Sequence, residues 1–250
     1  MSDEHRAAGQ DALRALGIPD GSWFVCFHAR EGGYSPGDER VHSFRNASVL
    51  DLLPAMRVVV ERGGWCVRMG DPTMTRLSPL PGVVDYAHHG LRSPDLDVFL
   101  CASCRFFLGN TSGLFIVSTS FGRPVALANM TPVTAMAYAP GDLSIYKLVR
   151  ARMGGRLLRF PELFASSIAN YRISRVVDDA GLELVDNSPE DIAELATEML
   201  DRLEGRTDAY TAYAPLQAKF ASLARPYHYS YGSTSLIGGR FAGKYRHLIE

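Results

Sequence analysis

The sequence predicts an α/β fold, a Rossmann-like parallel sheet flanked by helices, and three observations carry this prediction. Short apolar runs alternate with helical patterns over the first two-thirds of the 250 residues, as in parallel strands joined by crossover helices. The first run, Trp23–His28, is apolar on both faces, as a central parallel strand should be. Signals for helix ends also occur between the apolar runs. Ser93–Asp95 gives an N-cap with a proline at the first helical position, and Gly63–Gly64 gives a C-terminal stop.

Each element of the alternating part follows from these patterns. A first helix stops at Gly17–Pro19, and a long polar loop from Glu31 to about Ser48 follows the first strand. The predicted elements, in chain order, are helix His5–Leu16, strand Trp23–His28, helix Leu50–Arg62, strand Trp65–Met69, strand Val83–Tyr86, helix Ser93–Cys104, strand Arg105–Leu108, helix Leu114–Phe121 and strand Val125–Ala128. We expect four segments to be neighbouring strands of one parallel sheet: Phe24–Phe27, Cys66–Met69, Phe106–Leu108 and Val125–Ala128.

The alternation weakens after Asn129. Residues 130–155 are rich in loop signals, whereas Phe160–Asn170 is predicted to be helical and Leu182–Val185 to be a last short strand. Ser188–Asp191 has the residues of a helix start, with an acid placed for a capping box. These features predict a smaller set of elements in the last third of the chain.

Composition and charge limit the function. Hydrophobic residues make up 46% of the chain, charged residues 21%, and the formal net charge is -1, which fits a packed globular domain without a basic surface for nucleic acid. Met1–Arg6 lacks the apolar core of a signal peptide, and no apolar run approaches the roughly 18 residues of a membrane span. We expect a soluble cytoplasmic protein with one domain over residues 1–205 and an aromatic C-terminal extension, residues 206–250, that packs on it.

The cysteines favour packing over chemistry. Cys26 and Cys66 lie in apolar strand-like runs, and Cys101 and Cys104 form a single CxxC with no second ligand pair at zinc-finger spacing. We therefore expect no disulfide and no bound metal.

The first candidate site follows the first strand. His28 and Arg30 stand two residues apart and point to the same side, followed by Glu31 and by Gly32–Gly33, which let a backbone approach a ligand. A guanidinium fits phosphate with two parallel hydrogen bonds. The alternative is a hydrogen-bonded core histidine beside a surface ion pair.

Two further strand ends carry candidate residues. Asn110, Thr111, Ser112 and Gly113 form a small-residue turn before a helix, and free N–H groups at a helix N-terminus bind anions. Simple capping explains the same residues. After the second strand, Arg68–Asp71 offers Arg68 to a phosphate and Asp71 to a ribose hydroxyl or a base edge, with Gly70 between them; a plain turn is the alternative. Ligands of open parallel sheets bind at such carboxyl ends.

These motifs, in this order, resemble a known family. His28-x-Arg30, Trp65–Pro72 and Phe107–Asn129 are similar to the donor domain of fucosyltransferase-like glycosyltransferases, which hold a GDP-sugar with an HxR motif and a later Ser/Thr-rich turn. A bacterial GT-B glycosyltransferase family related to them resembles nearly the whole chain. Its similarity extends over Phe24–Tyr34, Arg45–Asn46, Gly64–Pro72, Asp97–Gly113 and Ile237–Leu248.

The resemblance implies the C-terminal donor-binding domain of a GT-B enzyme, and hence glycosyl transfer from a nucleoside diphosphate sugar, with GDP favoured, to an unknown acceptor. It implies that Arg30 stabilises the leaving diphosphate and that His28 positions it or the sugar, without a cofactor beyond the sugar nucleotide and without a metal. Glu31 and Asp38 are candidate bases. Family members usually carry a further N-terminal region, so a partner or a second copy is expected to supply the acceptor side.

Two other functions fit parts of the sequence. A nucleotide-sugar-binding module without its own catalysis would leave the acceptor side to a partner protein. A NAD-dependent oxidoreductase fits poorly, because no GxGxxG follows the first strand and no acid ends the second in the usual place.

Overall fold

A single parallel sheet dominates the protein, whose computed structural model describes residues 1–135 and 137–250. Its strand order is β3-β2-β1-β4-β5-β6-β9, and every neighbouring pair is parallel. The remaining two strands, β7 and β8, form a separate antiparallel ribbon. The strands are β1 (Phe24–His28), β2 (Trp65–Arg68), β3 (Val83–Val84), β4 (Phe107–Gly109), β5 (Val125–Met130), β6 (Leu143–Tyr146), β7 (Leu148–Ala151), β8 (Leu182–Val185) and β9 (Leu236–Ile237).

Helices cover both faces of the sheet. The α-helices are α1 (Asp3–Ala15), α2 (Pro36–His42), α3 (Leu53–Glu61), α4 (Pro94–Ser103), α5 (Gly113–Ser120), α6 (Phe160–Ala165), α7 (Ser174–Asp179), α8 (Pro189–Leu203), α9 (Ala214–Ala221), α10 (Gly239–Lys244) and α11 (Arg246–Ile249). Short 3-10 turns lie at Ser43–Arg45, Val49–Leu52, Tyr86–His88 and Asp208–Tyr213. Helix α4 packs against α1 and α5, and α8 packs against α3 and α10, so the helices form two packed groups.

The predicted fold class is confirmed, as are the four neighbouring strands of the sheet: β2, β1, β4 and β5 lie side by side. All five residues of β1 and all six of β5 are buried, because helices cover both faces of a parallel sheet. Burial of these apolar strands is the main source of the core.

Two predictions about local structure were wrong. The segment from Glu31 to Ser48 is not a plain loop: it contains α2, whose first turn holds Pro36 and two acids, and a 3-10 turn. Residues 130–155 contain β6 and β7, short strands that form because β5 and β8 offer them hydrogen-bonding edges. The predicted strand Leu182–Val185 is confirmed and is β8 of the antiparallel ribbon.

The C-terminal segment also joins the sheet. Strand β9 pairs with β6 at the sheet edge, and Phe241 and Leu248 are buried in the core. By contrast, Tyr227, Tyr229 and Tyr231 are exposed. Within the described residues, no helix combines the length and the apolar character required to cross a bilayer.

The strand order reverses between β1 and β4. From β1 the chain proceeds outwards through β2 to β3, then returns to the other side of β1 and continues through β4, β5 and β6. In open α/β sheets, the crevice outside the carboxyl ends of the strands at such a reversal is where ligands bind. The fold therefore singles out the ends of β1 and β4.

Candidate functional site

A cavity of about 390 Å³ lies at this reversal point. Seven of the ten site residues predicted from the sequence line it: His28, Arg30, Glu31, Gly70, Asp71, Ser112 and Gly113. The wall also includes Tyr34, Ser35, Asp38, Arg45, Met74, Arg92, Asp97 and Leu114. The other three predicted residues, Arg68, Asn110 and Thr111, lie behind this wall.

Arg30 is held in place from two directions. Its backbone N–H donates to Asn110 Oδ1 at 2.9 Å, and its guanidinium donates to Asn46 Oδ1 and lies 3.6 Å from Glu39 Oε2. The Arg30 side chain is mostly buried, with 12% of its surface exposed. A preorganised guanidinium loses little entropy when it binds an anion.

Asn110 joins the two arginine-bearing segments. Its Oδ1 accepts from Arg30, and its Nδ2 donates to the Arg45 carbonyl oxygen at 2.7 Å. Because both ends of the buried carboxamide are engaged within the protein, Asn110 positions other residues and has little capacity left for a ligand.

Arg45 brings a second guanidinium to the cavity wall, close to that of Arg30. Burial and the neighbouring Arg30 lower the pKa of Arg45, while Arg45 Nε is buried without a hydrogen-bond partner. An arginine stays charged in proteins under such conditions. Two cations packed together in this way would be stabilised by a bound anion.

The N-terminus of α5 opens into the same space. Ser112 is the N-cap residue, yet its hydroxyl makes no capping bond, and the hydroxyl oxygens of Ser112 and Thr111 are buried without partners. A Cβ added at Gly113 would meet no atom within 4 Å. The first N–H groups of a helix carry a partial positive charge, so this turn presents unused donors beside Arg30 and Arg45.

His28 is a buried neutral imidazole. Burial lowers its pKa to about 4, and its Nδ1 lies 3.3 Å from the Met69 carbonyl oxygen. Since a carbonyl only accepts, Nδ1 carries the proton and Nε2 is left as an acceptor. The ring therefore suits a hydroxyl donor better than a phosphate oxygen.

The His28 environment predicts acid sensitivity of the fold. The folded-state pKa lies below the usual 6.5, so the associated stability is complete above pH 6.5 and is lost as the pH falls towards 4, by about 3 kcal/mol at pH 4. We expect His28→Asn, which keeps a donor for Met69, to remove this component. Urea unfolding of both proteins between pH 4 and pH 7.5 measures it, and parallel pH profiles would contradict the assignment.

Glu31 on the cavity wall is paired with Arg68, which does not line the cavity. The Glu31 carboxylate accepts from the Thr75 N–H at 2.6 Å and lies 3.9 Å from Arg68 Nη2. Arg68 is fully buried and donates to Asp85 Oδ1 at 3.0 Å. This position explains why Arg68 does not line the cavity: its guanidinium is turned into a buried ion pair under the loop that follows β2.

Buried polar atoms without partners concentrate around the cavity. Of thirteen such atoms among the described residues, eight belong to its wall or to residues directly behind it: Glu39 Oε2, Arg45 Nε, Arg68 Nε and Nη2, Asp71 Oδ2, Asp97 Oδ1, Thr111 Oγ1 and Ser112 Oγ. Leaving a buried polar group unpaired costs about 1–3 kcal/mol, and native proteins keep few of them. A polar ligand bound in the cavity would supply hydrogen-bond partners for these atoms.

Analysis of single strand ends missed two important wall residues. Arg45 lies in a polar segment whose docking depends on Asn110, 65 positions later, so only the family resemblance pointed to it. Asp97 lies in the first turn of α4, where an acid ordinarily serves the helix dipole. Neither has a local signal of ligand binding.

No group of three or more histidine, cysteine or acidic side chains arranged for a metal occurs in residues 1–135 and 137–250. The polar groups of the cavity wall are instead guanidiniums, hydroxyls, helix N–H groups and dispersed carboxylates. This donor set matches an organic anion with hydroxyl groups.

Comparison with known proteins agrees at the level of fold. No family model matches the chain, and no curated protein matches it. Among solved structures, it is similar to the crystal structure of a glycosyl transferase of family 9 from Veillonella parvula DSM 2008, with a TM-score of 0.52 and 14% sequence identity. The similarity covers 81% of this chain and 53% of that one, so the chain spans about half of that protein's length. The chain thus has the α/β fold of a GT-B-like glycosyltransferase domain.

Proposed function

We propose that this protein binds a nucleoside diphosphate sugar, with a GDP-sugar favoured, and takes part in transfer of the sugar to an acceptor. The observation that carries the proposal is the set of unpaired buried polar atoms gathered with two guanidiniums and a helix N-terminus at the reversal of strand order. The preference for GDP rests on the resemblance of His28-x-Arg30 to the HxR motif of fucosyltransferase-like enzymes.

The diphosphate is assigned to the positive part of the cavity. Arg30 and Arg45 line it and would bind phosphate oxygens, while Ser112 and Gly113 would donate from the N-terminus of α5. This arrangement supplies the positive charge that a diphosphate requires, so we propose transfer without a metal ion.

The nucleoside is assigned to the end of β2. Asp71 is 8% exposed, and its Oδ1 is engaged by Thr73 while its Oδ2 has no partner. A carboxylate near the carboxyl end of a parallel strand can accept hydrogen bonds from ribose hydroxyls. Gly70 and Met74 line the cavity next to it and offer space and an apolar surface.

The chemistry assigned to these residues is stabilisation of a leaving group. The bond from the anomeric carbon to the β-phosphate oxygen breaks, the acceptor oxygen forms the new bond and loses its proton, and the nucleoside diphosphate leaves with the bonding electrons. Charge grows on the diphosphate during this step, and fixed donors in a partly dry site stabilise it by several kcal/mol. Arg30 and Arg45 would act here.

Few side chains of the cavity are suited to accept the proton that the acceptor hydroxyl loses. Glu31 already accepts from the Thr75 N–H, whereas Asp38 is exposed on the cavity wall. The engagement of Glu31 favours a second candidate function, a sugar-nucleotide-binding module whose base and acceptor site come from a partner protein or a second copy. Turnover of a sugar nucleotide by the isolated chain, abolished by Asp38→Asn, would exclude this candidate.

Thermal-shift screening tests the proposed ligand. GDP, UDP, dTDP, ADP and CMP, each with one sugar conjugate, would be compared at the same concentration. We expect one nucleotide class to raise the melting temperature and inorganic phosphate to do so far less, because ligands that bind only the folded state stabilise it. No shift with any nucleotide would reject the proposal.

A further inference from the structure

We infer that Asp97 binds hydroxyl groups of the sugar moiety that is transferred, which makes it a specificity-determining residue of the cavity. This inference rests on the proposed function and adds to it, because His28 is otherwise the only residue assigned to the sugar. Asp97 lies on α4, one turn after the N-cap Ser93, and its side chain lines the cavity.

One oxygen of the Asp97 carboxylate lacks a hydrogen-bond partner within the protein. Its Oδ1 is buried without a hydrogen bond. The Tyr86 hydroxyl interacts with the carboxylate, but it also donates to the Ser93 carbonyl oxygen at 3.3 Å and accepts from the Ser93 N–H at 3.1 Å. Burial raises the pKa of Asp97 against the opposing effects of Tyr86 and Arg92. Asp97 Oδ1 is therefore free to accept from a donor outside the protein.

The chemistry of that donor is restricted by the surroundings. A phosphate next to Asp97 would add a second negative charge, so the partner has to be a neutral hydrogen-bond donor. Helix α4 packs against α5, and Asp97 shares the wall with Ser112, Gly113 and Arg92. Sugar hydroxyls are neutral donors, and a carboxylate can accept from two neighbouring ones.

The two unpaired carboxyl oxygens of the wall correspond to the two ends of the ligand. Asp71, after β2, is assigned to the ribose, so the remaining polyol, the transferred sugar, is assigned to Asp97 together with His28. A nucleoside diphosphate without sugar should then not sense Asp97, whereas its sugar conjugate should.

Calorimetry with two ligand pairs tests this. GDP and GDP-mannose, then UDP and UDP-glucose, would be titrated into the wild type, Asp97→Asn and the control Asp95→Asn, an exposed acid on the same helix. We expect Asp97→Asn to weaken the sugar conjugate that binds by about tenfold or more, as for a lost hydrogen bond to a charged group, and to change the free nucleotide less than twofold. Its melting temperature should be no lower than that of the wild type.

Other outcomes reject the inference in distinguishable ways. Equal weakening of GDP and GDP-mannose would place a base or ribose at Asp97. Unchanged binding would give it no role, and failure to fold would make it structural. Deoxygenated GDP-mannose analogues provide a second check: removal of one hydroxyl should cost affinity in the wild type and not in Asp97→Asn. If the wild type bound neither nucleotide, the proposed function itself would fail.

Discussion

Gly113→Asp is expected to abolish nucleotide binding while the protein remains folded. The new side chain has room, since a Cβ at Gly113 meets no atom within 4 Å, and an acid in the first turn of a helix stabilises it by about 0.3–1 kcal/mol. Its carboxylate would occupy the space between the α5 N-terminus and Arg30, where the diphosphate is assigned. Repulsion between the new carboxylate and a diphosphate next to it is worth several kcal/mol, so nucleotide affinity should fall about 100-fold or more.

The control for Gly113→Asp is Gly141→Asp. Gly141 is also exposed, and a Cβ there also meets no atom, but it precedes β6 and so lies at the amino ends of the strands. It adds the same charge to the chain and should leave affinity unchanged. Calorimetric titration gives the affinities, and urea unfolding gives the stabilities. Nucleotide binding by Gly113→Asp at wild-type affinity would place the ligand elsewhere.

Arg30→Ala is expected to cost about 1.5–3 kcal/mol of nucleotide affinity, the range for a hydrogen bond to a charged group. Arg30→Lys should also bind more weakly, because an ammonium lacks the planar fork. Since Arg30 is mostly buried and contacts Asn46 and Glu39, the Ala variant should in addition lose about 1–3 kcal/mol of folding stability, as expected when buried polar partners are left unpaired.

Glu39→Gln separates the two effects of Arg30. Glu39 lies 3.6 Å from the Arg30 guanidinium and does not line the cavity. Neutralising it disturbs the ion pair but leaves Arg30 free for the ligand, so nucleotide affinity should stay the same or increase. A loss in Glu39→Gln as large as that in Arg30→Ala would show that Arg30 acts only through folding.

The sequence was sufficient for the fold because the central strands carry their own signal. The residues of β1 and β5 are apolar on both faces, and this pattern has few alternatives to a buried parallel strand. Strands β6 and β9 have no such signal. They are short and pair only with neighbours already in the sheet, so tertiary context decides their conformation.

The site was predictable where it depends on strand ends and not where it depends on long-range contacts. The ends of β1 and β4 placed His28, Arg30, Ser112 and Gly113 on one cavity wall. The inward turn of Arg68 depends on Asp85, 17 positions later in the chain. Local sequence patterns do not predict an ion pair between residues so far apart in the chain.

A crystal structure of the protein with the nucleoside diphosphate that gives the largest thermal shift tests the central claim most directly. The account predicts both phosphates in the cavity at the ends of β1 and β4, with phosphate oxygens within hydrogen-bond distance of the Gly113 N–H and of the Arg30 and Arg45 guanidiniums. A nucleotide bound at another surface, or a cavity that stays empty at saturating nucleotide, would contradict it.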